Sequence, residues 1–300
     1  MKQILITGAN GLLGQKLVYK MKGMHQVHCI ATSKGINRLL SQEGYEYYAA
    51  DVIDYDRINE VIRESKPDYI INTAAMTNVD ACEEDKETCK RINTDAVKNL
   101  ANICDELNIH LIHLSTDFIF DGKEGPYDEN AVPNPLSYYG LCKWEAEKIV
   151  QQMQAPWTII RTVLVYGIVD NMSRSNIVLW VKKSLEEGKN INLVNDQWRT
   201  PTLAEDLAEG CLLVALKNAT GFYNISGKDF MSIFDMACKV AEHYGLDKKF
   251  IHATDSESLG QPAKRPPRTG FIIDKAVKEL GYEPMSFEES LTIIDKQIMG

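Results

Sequence analysis

The sequence predicts an α/β fold, in which a doubly wound parallel sheet is accompanied by a smaller mixed α/β lobe. Short apolar runs alternate with helical patterns in the first half of the 300 residues, which is typical of parallel β-α-β units. Right-handed crossovers leave few topologies for such a chain, and the doubly wound Rossmann-type sheet is the commonest. The alternation ends after Gly167. We therefore expect one domain over residues 1–167 and a smaller lobe over 168–300, part of which returns to the main sheet.

The spacing of apolar residues predicts the individual elements. Strands in the first domain are expected at Ile4–Thr7, Val27–Ala31, Tyr47–Ala50, Tyr69–Asn72, Leu111–Ser115 and Thr158–Arg161. Helices between them are expected at Gly11–Met21, Tyr55–Ser65, Glu87–Leu107 and Ser137–Gln152. In the second lobe, helices are expected at Ser173–Gly188, Leu203–Lys217 and Ser232–Tyr244, and strands at Ile191–Val194 and Phe222–Ile225.

Composition and charge restrict the class of protein. Hydrophobic residues make up 44% of the chain and charged residues 25%, which are ordinary values for a globular protein. The net charge of −9 provides no basic excess for binding phosphates, so no nucleic-acid partner is expected. No apolar run approaches the roughly 18 residues of a membrane span, and the N-terminus enters a strand pattern rather than a signal peptide. Seven dispersed cysteines without a Cys-x-x-Cys pair indicate reduced thiols, and we expect a cytoplasmic location.

The sequence predicts no metal site. Its six histidines form neither a His-Glu-x-x-His motif nor a cluster with cysteines. His110 and His113 flank two apolar residues in a predicted strand, where side chains three positions apart point to opposite faces. We expect both histidines to have structural roles.

A glycine-rich loop connects the first strand to the first helix, with the sequence Thr7-Gly-Ala-Asn-Gly-Leu-Leu-Gly14. Glycines allow a tight turn and a close approach of backbone amides to a pyrophosphate, and the helix N-terminus favours the anion. In this strand–loop–helix context the motif predicts a dinucleotide site, with a tight turn that binds nothing as the alternative. The expected contacts are Gly8, Asn10, Gly11, Leu12 and Leu13.

The segment after the second strand indicates which dinucleotide is bound. An acid about 20 residues beyond the glycine motif usually binds an unphosphorylated ribose, but hydroxyls and a cation stand here instead. These residues suit a 2′-phosphate and are Thr32, Ser33 and Lys34. Arg38 is a further candidate, and the alternative is that Lys34 is a solvated loop charge. Asp51 and Val52 follow the third strand and are expected at the adenine, although Asp51 also suits a turn. NADP(H) is favoured over NAD(H).

A tyrosine and a lysine four positions apart occur twice in the chain. Tyr139-Gly-Leu-Cys-Lys143 opens a predicted helix, whereas Tyr244-Gly-Leu-Asp-Lys248 ends one, with Gly245 as its expected cap. Only the first pair follows a strand that ends in hydroxyl-bearing side chains. The second pair is therefore interpreted as a structural helix terminus.

The first pair predicts a reductase. Tyrosine has an ordinary pKa of about 10, and a nearby lysine together with the positive nicotinamide would lower it toward neutrality. The cofactor would give a hydride to a carbonyl carbon while Tyr139 gives a proton to the carbonyl oxygen. Thr116 or Ser115, at the end of the preceding strand, would hold that oxygen.

Four further segments carry a family resemblance; they are 72–83, 91–97, 114–122 (Leu-Ser-Thr-Asp-Phe-Ile-Phe-Asp-Gly) and 196–202 (Asp-Gln-Trp-Arg-Thr-Pro-Thr). Over nearly its whole length the chain resembles the extended short-chain dehydrogenase/reductases, and among them the dTDP-4-dehydrorhamnose reductase family. The resemblance implies NAD(P)H-dependent reduction of the 4-keto group of a nucleotide-linked deoxysugar. It implies catalytic roles for Thr116, Asp117, Tyr139 and Lys143, and cofactor or substrate contacts from Ala74, Ala75, Thr77 and Val79.

Two positions depart from the family pattern and predict an altered sugar pocket. Leu164 stands where the family usually has tryptophan, and Arg199 stands where it usually has glycine. Arg199 either pairs with a phosphate or carboxylate of the substrate or braces its loop. Arg265 and Arg268 are candidates for binding the substrate diphosphate.

Two other functions fit the same sequence. One is an NADP-binding regulatory or scaffold protein, because the regulatory β subunit of methionine adenosyltransferase resembles the same family. The other is a nucleotide-sugar epimerase or dehydratase. The intact set of Thr116, Tyr139 and Lys143 favours the reductase. A nucleotide sugar is the expected partner, while a homodimer and a divalent ion at its interface, as in some relatives, are left open.

Overall fold

A seven-stranded parallel sheet forms the centre of the computed structural model, which describes residues 1–171 and 176–299. The strands along these residues are β1 (Lys2–Thr7), β2 (Val27–Ser33), β3 (Glu46–Ala49), β4 (Tyr69–Asn72), β5 (His110–Thr116), β6 (Trp157–Thr162), β7 (Val165–Tyr166), β8 (Ile191–Val194), β9 (Trp198–Arg199), β10 (Thr202–Leu203), β11 (Gly221–Asn224), β12 (Met231–Ser232) and β13 (Ile251–Thr254). The sheet order is β11-β6-β5-β4-β1-β2-β3, so the direction of winding reverses between β4 and β1. In such a sheet, ligands bind beyond the carboxyl ends of the strands at this reversal.

Helices cover both faces of the sheet. They are α1 (Leu12–Met21), α2 (Tyr55–Ser65), α3 (Val79–Glu84), α4 (Lys86–Lys90), α5 (Ala96–Leu107), α6 (Tyr138–Val150), α7 (Ile177–Glu186), α8 (Ala204–Lys217), α9 (Ile233–Tyr244) and α10 (Phe287–Met299). Short π-helical segments at Arg91–Asp95 and Ala276–Leu280 complete the helical structure, together with 3-10 turns at Asp117–Ile119 and Lys248–Phe250. Among the described residues, no helix has the length and apolar character needed to cross a lipid bilayer.

Alternate residues of the central strands enter two separate cores. One face of β1 packs Ile4 and Ile6 against α1 and α8, while the opposite face packs Leu5 among residues of α2, α5 and α6. Burial on both faces explains why these strands are nearly continuous apolar runs. Side chains of α6 therefore face the same side of the sheet as the odd-numbered residues of β5.

Capping side chains set where the helices begin. Ser137 accepts a hydrogen bond from the Gly140 backbone amide at 3.2 Å and starts α6, so Tyr139 and Lys143 lie in the first two turns. Ser232 and Asp235 form a capping box that starts α9, whose end is Gly245 in the left-handed conformation with a φ of 63°. These caps satisfy amides that would otherwise lack partners at the helix ends.

The predicted fold class is confirmed, and most predicted elements lie within two residues of the observed ones. The prediction of one helix over Glu87–Leu107 is confirmed, because α4, the π-helical turn and α5 are continuous from Lys86 to Leu107. Helix α7 begins at Ile177, and residues 173–175 of the predicted helix lie outside the described residues. The structure adds β11 to the main sheet beside β6, as expected for part of the second lobe. The boundary at residue 167 stays a prediction.

Candidate active site

The glycine loop is shaped by close backbone contacts at the end of β1. Gly8 has a φ of 68°, and a β-carbon there would lie 2.8 Å from the Ala74 backbone nitrogen. A β-carbon on Gly14 would overlap the Gly8 carbonyl oxygen and the Ala9 backbone. Only glycine fits these two positions, and the resulting turn places the N-terminus of α1 at the end of the strand. This is a suitable geometry for binding a pyrophosphate.

Two cavities flank this loop, with volumes of about 560 Å³ and about 460 Å³. Gly11, Thr73 and Ala75 line both of them. Of the predicted site residues, the larger cavity is lined by Leu12, Leu13, Thr77, Val79, Thr116, Asp117, Tyr139, Lys143 and Arg265. The smaller is lined by Gly8, Ser33, Lys34, Asp51, Val52 and Ala74. The residues predicted to perform the chemistry thus share one cavity, and those predicted near the adenosine share the other.

Lys143 is buried and anchored at the edge of the larger cavity. Its Nζ donates to the Leu114 carbonyl at 2.6 Å and lies 3.1 Å from His113 Nε2. Burial lowers the pKa of Lys143 to about 8, and the carboxylate of Glu147 one turn further along α6 opposes that shift. A lysine with this pKa is partly charged near neutral pH.

Tyr139 is buried between α6 and the strand end, with its ring edge-on to Phe118. Burial raises the pKa of Tyr139 above its ordinary value, and the Asp117 carboxylate raises it further, whereas a hydrogen bond with Thr116 opposes the shift. The lowered pKa predicted for Tyr139 requires both Lys143 and the oxidised nicotinamide and stays a prediction; among the protein's own groups, burial has the largest effect. Tyr139 is held as a neutral phenol with its proton in place.

The two hydroxyls at the end of β5 have different surroundings. Thr116 Oγ1 donates to Asp117 Oδ1 at 3.1 Å and accepts from the Phe118 amide at 3.3 Å. Ser115 is among the residues that line the larger cavity, and its Oγ is one of three buried side-chain polar atoms without a hydrogen-bond partner among the described residues. A buried hydroxyl without a protein partner is costly, so this atom indicates a site for a polar ligand group.

Arg199 belongs to a buried network of polar contacts. The sequence had left open whether this residue binds the substrate or braces its loop. Its Nε lies 3.4 Å from Asp117 Oδ2, and its Nη atoms donate to the carbonyls of Trp198 and Pro266, both at 2.8 Å. Asp117 also accepts a hydrogen bond from the Thr269 hydroxyl. Burial raises the pKa of Asp117, and the Arg199 charge opposes that shift. Because its donors are used within the protein, Arg199 braces the loops, and the alternative of a substrate contact is wrong for this conformation.

The predicted phosphate-binding segment is corrected at one position. Thr32 is buried within the sheet, where its hydroxyl lies 3.5 Å from the Ala50 carbonyl, and it lines neither of the two cavities. Ser33 and Lys34 line the smaller cavity, and the Lys34 ammonium lies 3.2 Å from Asp51 Oδ2. The Lys34 side chain is 81% exposed, so it can move toward an anion at the mouth.

Asn10 organises the loop after β2 and does not line either of the two cavities. Its Oδ1 accepts from the Arg38 amide and its Nδ2 donates to the Ile36 carbonyl, both at 2.9 Å. The predicted cofactor contact from Asn10 stays a prediction, and the side chain of Asn10 has an indirect role in this structure. The residue holds the loop that follows Lys34 against the glycine turn.

Arg265 lines the mouth of the larger cavity, whereas Arg268 does not line it. Arg265 forms a two-pronged ion pair with Asp80, with its Nη atoms 2.7 and 3.1 Å from the carboxylate oxygens. The Arg268 guanidinium lies over the rings of Trp198 and Phe230. Of these two arginines, only Arg265 is in position for an anionic substrate group.

His113 and Asn72 were missed as members of the site. His113 was predicted to be structural, but one of its ring nitrogens contacts Lys143 and the other lies 3.1 Å from Asn72 Nδ2. His110 contacts Thr158 on the opposite face, as the alternation predicted. The available signal was that His113 lies two residues before Ser115, on the face of β5 that α6 covers.

The second tyrosine–lysine pair lies apart from both cavities. Tyr244 donates to Asp295 Oδ1 at 2.6 Å, and the Lys248 side chain pairs with Glu242 on the surface. These contacts join the ends of α9 and α10 and involve no cavity-lining residue. Within residues 1–171 and 176–299, no three His, Cys, Asp or Glu side chains are grouped so as to hold a metal ion.

Comparisons with known proteins agree with this geometry. A family profile described as "RmlD substrate binding domain" matches residues 1–298. The chain is 31% identical over 295 residues to the probable low-salt glycan biosynthesis reductase Agl14 of Haloferax volcanii, covering 97% of this chain and 96% of the relative. It is also 31% identical over 271 residues to methionine adenosyltransferase 2 subunit beta of Bos taurus, covering 88% and 78%.

Two solved structures are similar over the whole chain. A dTDP-4-dehydrorhamnose reductase from Clostridium acetobutylicum superimposes with a TM-score of 0.87 at 30% identity, covering 100% of both chains. The dTDP-4-dehydrorhamnose reductase of Bacillus anthracis, solved in complex with NADP, gives a TM-score of 0.83 at 27% identity, covering 99% of this chain and 100% of the other.

Proposed function

The chain belongs to the dTDP-4-dehydrorhamnose reductase family of extended short-chain dehydrogenase/reductases, and on that premise we propose that it reduces the 4-keto group of a nucleotide-linked deoxysugar with NADPH. One observation carries the proposal: Tyr139, Lys143, Ser115 and Thr116 line a single cavity of about 560 Å³ that adjoins the glycine loop. A pocket of that size accommodates a sugar beside a nicotinamide.

NADPH would supply the hydride in this site, and its pyrophosphate would lie at Gly8 and the N-terminus of α1. The residues of the chain orient the carbonyl and provide the proton. Ser115 Oγ, which lacks a protein partner, would donate to the carbonyl oxygen, and Thr116 Oγ1 would do so only by giving up its hydrogen bond to Asp117. Tyr139 would give its phenolic proton to that oxygen, and the Lys143 ammonium would stabilise the phenolate. Burial favours this direction because it keeps Tyr139 protonated before the reaction.

The test is oxidation of NADPH, followed by its absorbance, with a panel of nucleotide-linked 4-keto sugars. Tyr139→Phe removes the proton donor and leaves the ring, so turnover should fall about 10²–10⁴-fold while the protein stays folded. Tyr244→Phe is the matched control, because Tyr244 has the same lysine spacing and its hydroxyl contacts Asp295. Near wild-type turnover in Tyr139→Phe would overturn the assignment of the acid.

NADPH is proposed as the preferred cofactor over NADH. Ser33 and the exposed Lys34 line the smaller cavity, where a 2′-phosphate would find a hydroxyl and a cation. The similar reductase solved with NADP supports this choice. A higher kcat/KM with NADPH than with NADH on the same sugar is the expected result, and equal values would contradict it.

A regulatory function is the second candidate, because relatives named methionine adenosyltransferase 2 subunit beta match 88% of this chain at 31% identity. In that case the protein would bind NADP and oxidise NADPH with none of the sugars. Isothermal titration with NADP alongside the sugar panel separates the two candidates. Tight NADP binding without turnover favours the regulatory protein, and turnover with any sugar favours the reductase.

A further inference from the structure

His113 is a fully buried titratable residue that the proposed chemistry does not use. It lies in β5 and joins a line of polar contacts that crosses three strands of the sheet. Thr7 Oγ1 donates to Asn72 Oδ1 at 2.6 Å, Asn72 Nδ2 lies 3.1 Å from His113 Nδ1, and His113 Nε2 lies 3.1 Å from Lys143 Nζ. The line connects the end of β1, next to the glycine loop, with the lysine in the larger cavity.

The anchoring of Lys143 explains why this line matters for the site. A protonated lysine has three N–H donors on a rotatable, tetrahedral nitrogen. The Leu114 carbonyl takes one donor at 2.6 Å, and His113 Nε2 is in position for a second. With two N–H donors bound, the third has a defined direction. Because Lys143 lines the larger cavity, this third donor is available to a group there. One anchor alone would leave the ammonium to rotate about its bond.

The contacts of the ring require His113 to be neutral. Burial and the neighbouring Lys143 charge lower the pKa of His113 well below its ordinary value. Lys143 is the charged group that faces the ring, and Asn72 faces it from β4 as an uncharged amide. Lys143 itself is also influenced by Glu147 on α6 and by the thiols of Cys89 and Cys142. A neutral imidazole carries one ring proton, so one nitrogen donates and the other accepts.

Two protonation states satisfy these contacts. When Asn72 Nδ2 donates to Nδ1, the ring proton is on Nε2 and points to Lys143 Nζ, which accepts as an uncharged amine. When Lys143 is an ammonium, Nε2 must accept, so the ring proton moves to Nδ1 and the Asn72 amide turns its oxygen toward the ring. Asn72 Nδ2 then faces Thr7 Oγ1, which accepts from it instead of donating to the amide oxygen. The tautomer of His113 is therefore tied to the charge of Lys143.

We propose that His113 is a positioning residue for Lys143. The His113 ring fixes the direction of the Lys143 amine in the cavity, and the tautomer of the ring changes with the charge of that amine. The effect on turnover rests on the proposed reductase function, whereas the tautomer change does not. His113 touches neither the carbonyl nor the reacting atoms in this assignment and acts only through Lys143.

Two substitutions of His113 test the contributions of its two ring nitrogens separately. In His113→Gln, the amide reaches the position of Nε2 and still offers an acceptor to Lys143. In His113→Asn, the shorter side chain reaches only the position of Nδ1 and leaves Lys143 without its second anchor. His113→Asn loses a hydrogen bond to a charged group, so its kcat should fall about tenfold or more. In His113→Gln, kcat should be close to the wild-type value. The matched control is His110→Gln in the same strand, which should leave kcat unchanged.

The pH profile distinguishes positioning from a general loss of packing. Without an acceptor for its ammonium, Lys143 should have a still lower pKa, so the alkaline limb of kcat should move to lower pH in His113→Asn. A merely structural defect would lower kcat without moving that limb. Equal falls in His113→Gln, His113→Asn and His110→Gln, with an unmoved limb, would overturn the proposal.

Nitrogen NMR of histidine-labelled wild-type protein tests the tautomer without any activity. The His113 ring signals should report a neutral imidazole throughout, with the proton on Nδ1 below pH 8 and on Nε2 above it. Lys143→Met should abolish the change, and the signals of His110 should be unaffected. A His113 tautomer that is constant with pH, or a change that persists in Lys143→Met, would contradict the inference. If no sugar is reduced, the NMR result still decides the point.

Discussion

Removing Arg199 should destabilise the fold rather than weaken substrate binding. The guanidinium is 3% exposed, and it connects the buried Asp117 carboxylate to the backbone of two loops. Arg199→Met keeps the approximate length and apolar stem of the side chain but removes the charge and all of the donors. Asp117, which is 2% exposed, would then keep only the hydroxyls of Thr116 and Thr269.

The size of the effect follows from the uncompensated charge. Breaking a buried ion pair by removing one partner typically costs about 3–5 kcal/mol. Unfolding entropy scales with chain length, so for 300 residues this corresponds to a fall in Tm of roughly 5–8 °C. Asp117→Asn with Arg199→Met should recover part of the loss, because the pair of substitutions removes both charges. The assay is urea unfolding followed by circular dichroism, with NADPH affinity measured on the same samples.

Arg268→Met is the control for the loss of a cation from the same region, because that guanidinium lies over aromatic rings and has no buried carboxylate partner here. It should change the unfolding free energy less than Arg199→Met does. The reasoning is refuted if Arg199→Met unfolds at the same urea concentration as the wild type while its KM for a sugar rises. That pattern would return Arg199 to the substrate.

Two further predictions concern the glycine loop and one buried carboxyl. Gly8→Ala should weaken NADPH binding by more than tenfold in a fluorescence titration, since its β-carbon would lie 2.8 Å from the Ala74 nitrogen at a φ of 68°, whereas Gly23→Ala has open space and should bind normally. Equal affinities would contradict the role of the turn. Burial raises the pKa of Asp206 to about 6, so its native carboxyl holds a proton more tightly than the unfolded chain does. As the pH rises from 4 to 6, wild-type stability should therefore fall relative to Asp206→Asn in urea unfolding, by at most about 2–3 kcal/mol because solvent screens part of the effect, and a constant difference would contradict this.

The sequence predicted the sheet well because its strands are buried on both faces. Continuous apolar runs such as Tyr69–Asn72 define their own limits, and the Ser137 cap of α6 is a local feature of a few residues. Periodicity failed where structure depends on distant contacts. The helix from Lys86 to Leu107 is continuous, but it contains a π-helical turn in which Asn93 exchanges two hydrogen bonds with the Met76 backbone. That partner is distant in sequence, so apolar spacing does not indicate it.

The candidate site was predicted in its chemical groups but not in their electrostatics. Sequence spacing correctly predicted that Tyr139, Lys143 and Thr116 lie together in one cavity, because strand ends and helix starts meet at the same edge of the sheet. It did not show that the Thr32 side chain is buried in the core, because successive side chains of a strand point to opposite faces of the sheet. It also did not show that burial raises the Tyr139 pKa among the protein's own groups, because burial depends on the packing of helices from several parts of the chain.

The burial that raises the Tyr139 pKa also lowers that of Lys143, and the two shifts have one cause: both charged forms lose hydration. A buried phenolate therefore needs a buried cation beside it. The free-energy cost of burying either charge is smaller when the opposite charge is next to it. With a pKa of about 8, Lys143 is mostly protonated at pH 7 and loses its charge as the pH rises through 8. In the proposed reaction, proton transfer from Tyr139 would then be best supported on the acidic side of that value. The anchors on Lys143 at Leu114 and His113 would matter for the same reason, since they hold the ammonium at a fixed distance from the phenolate.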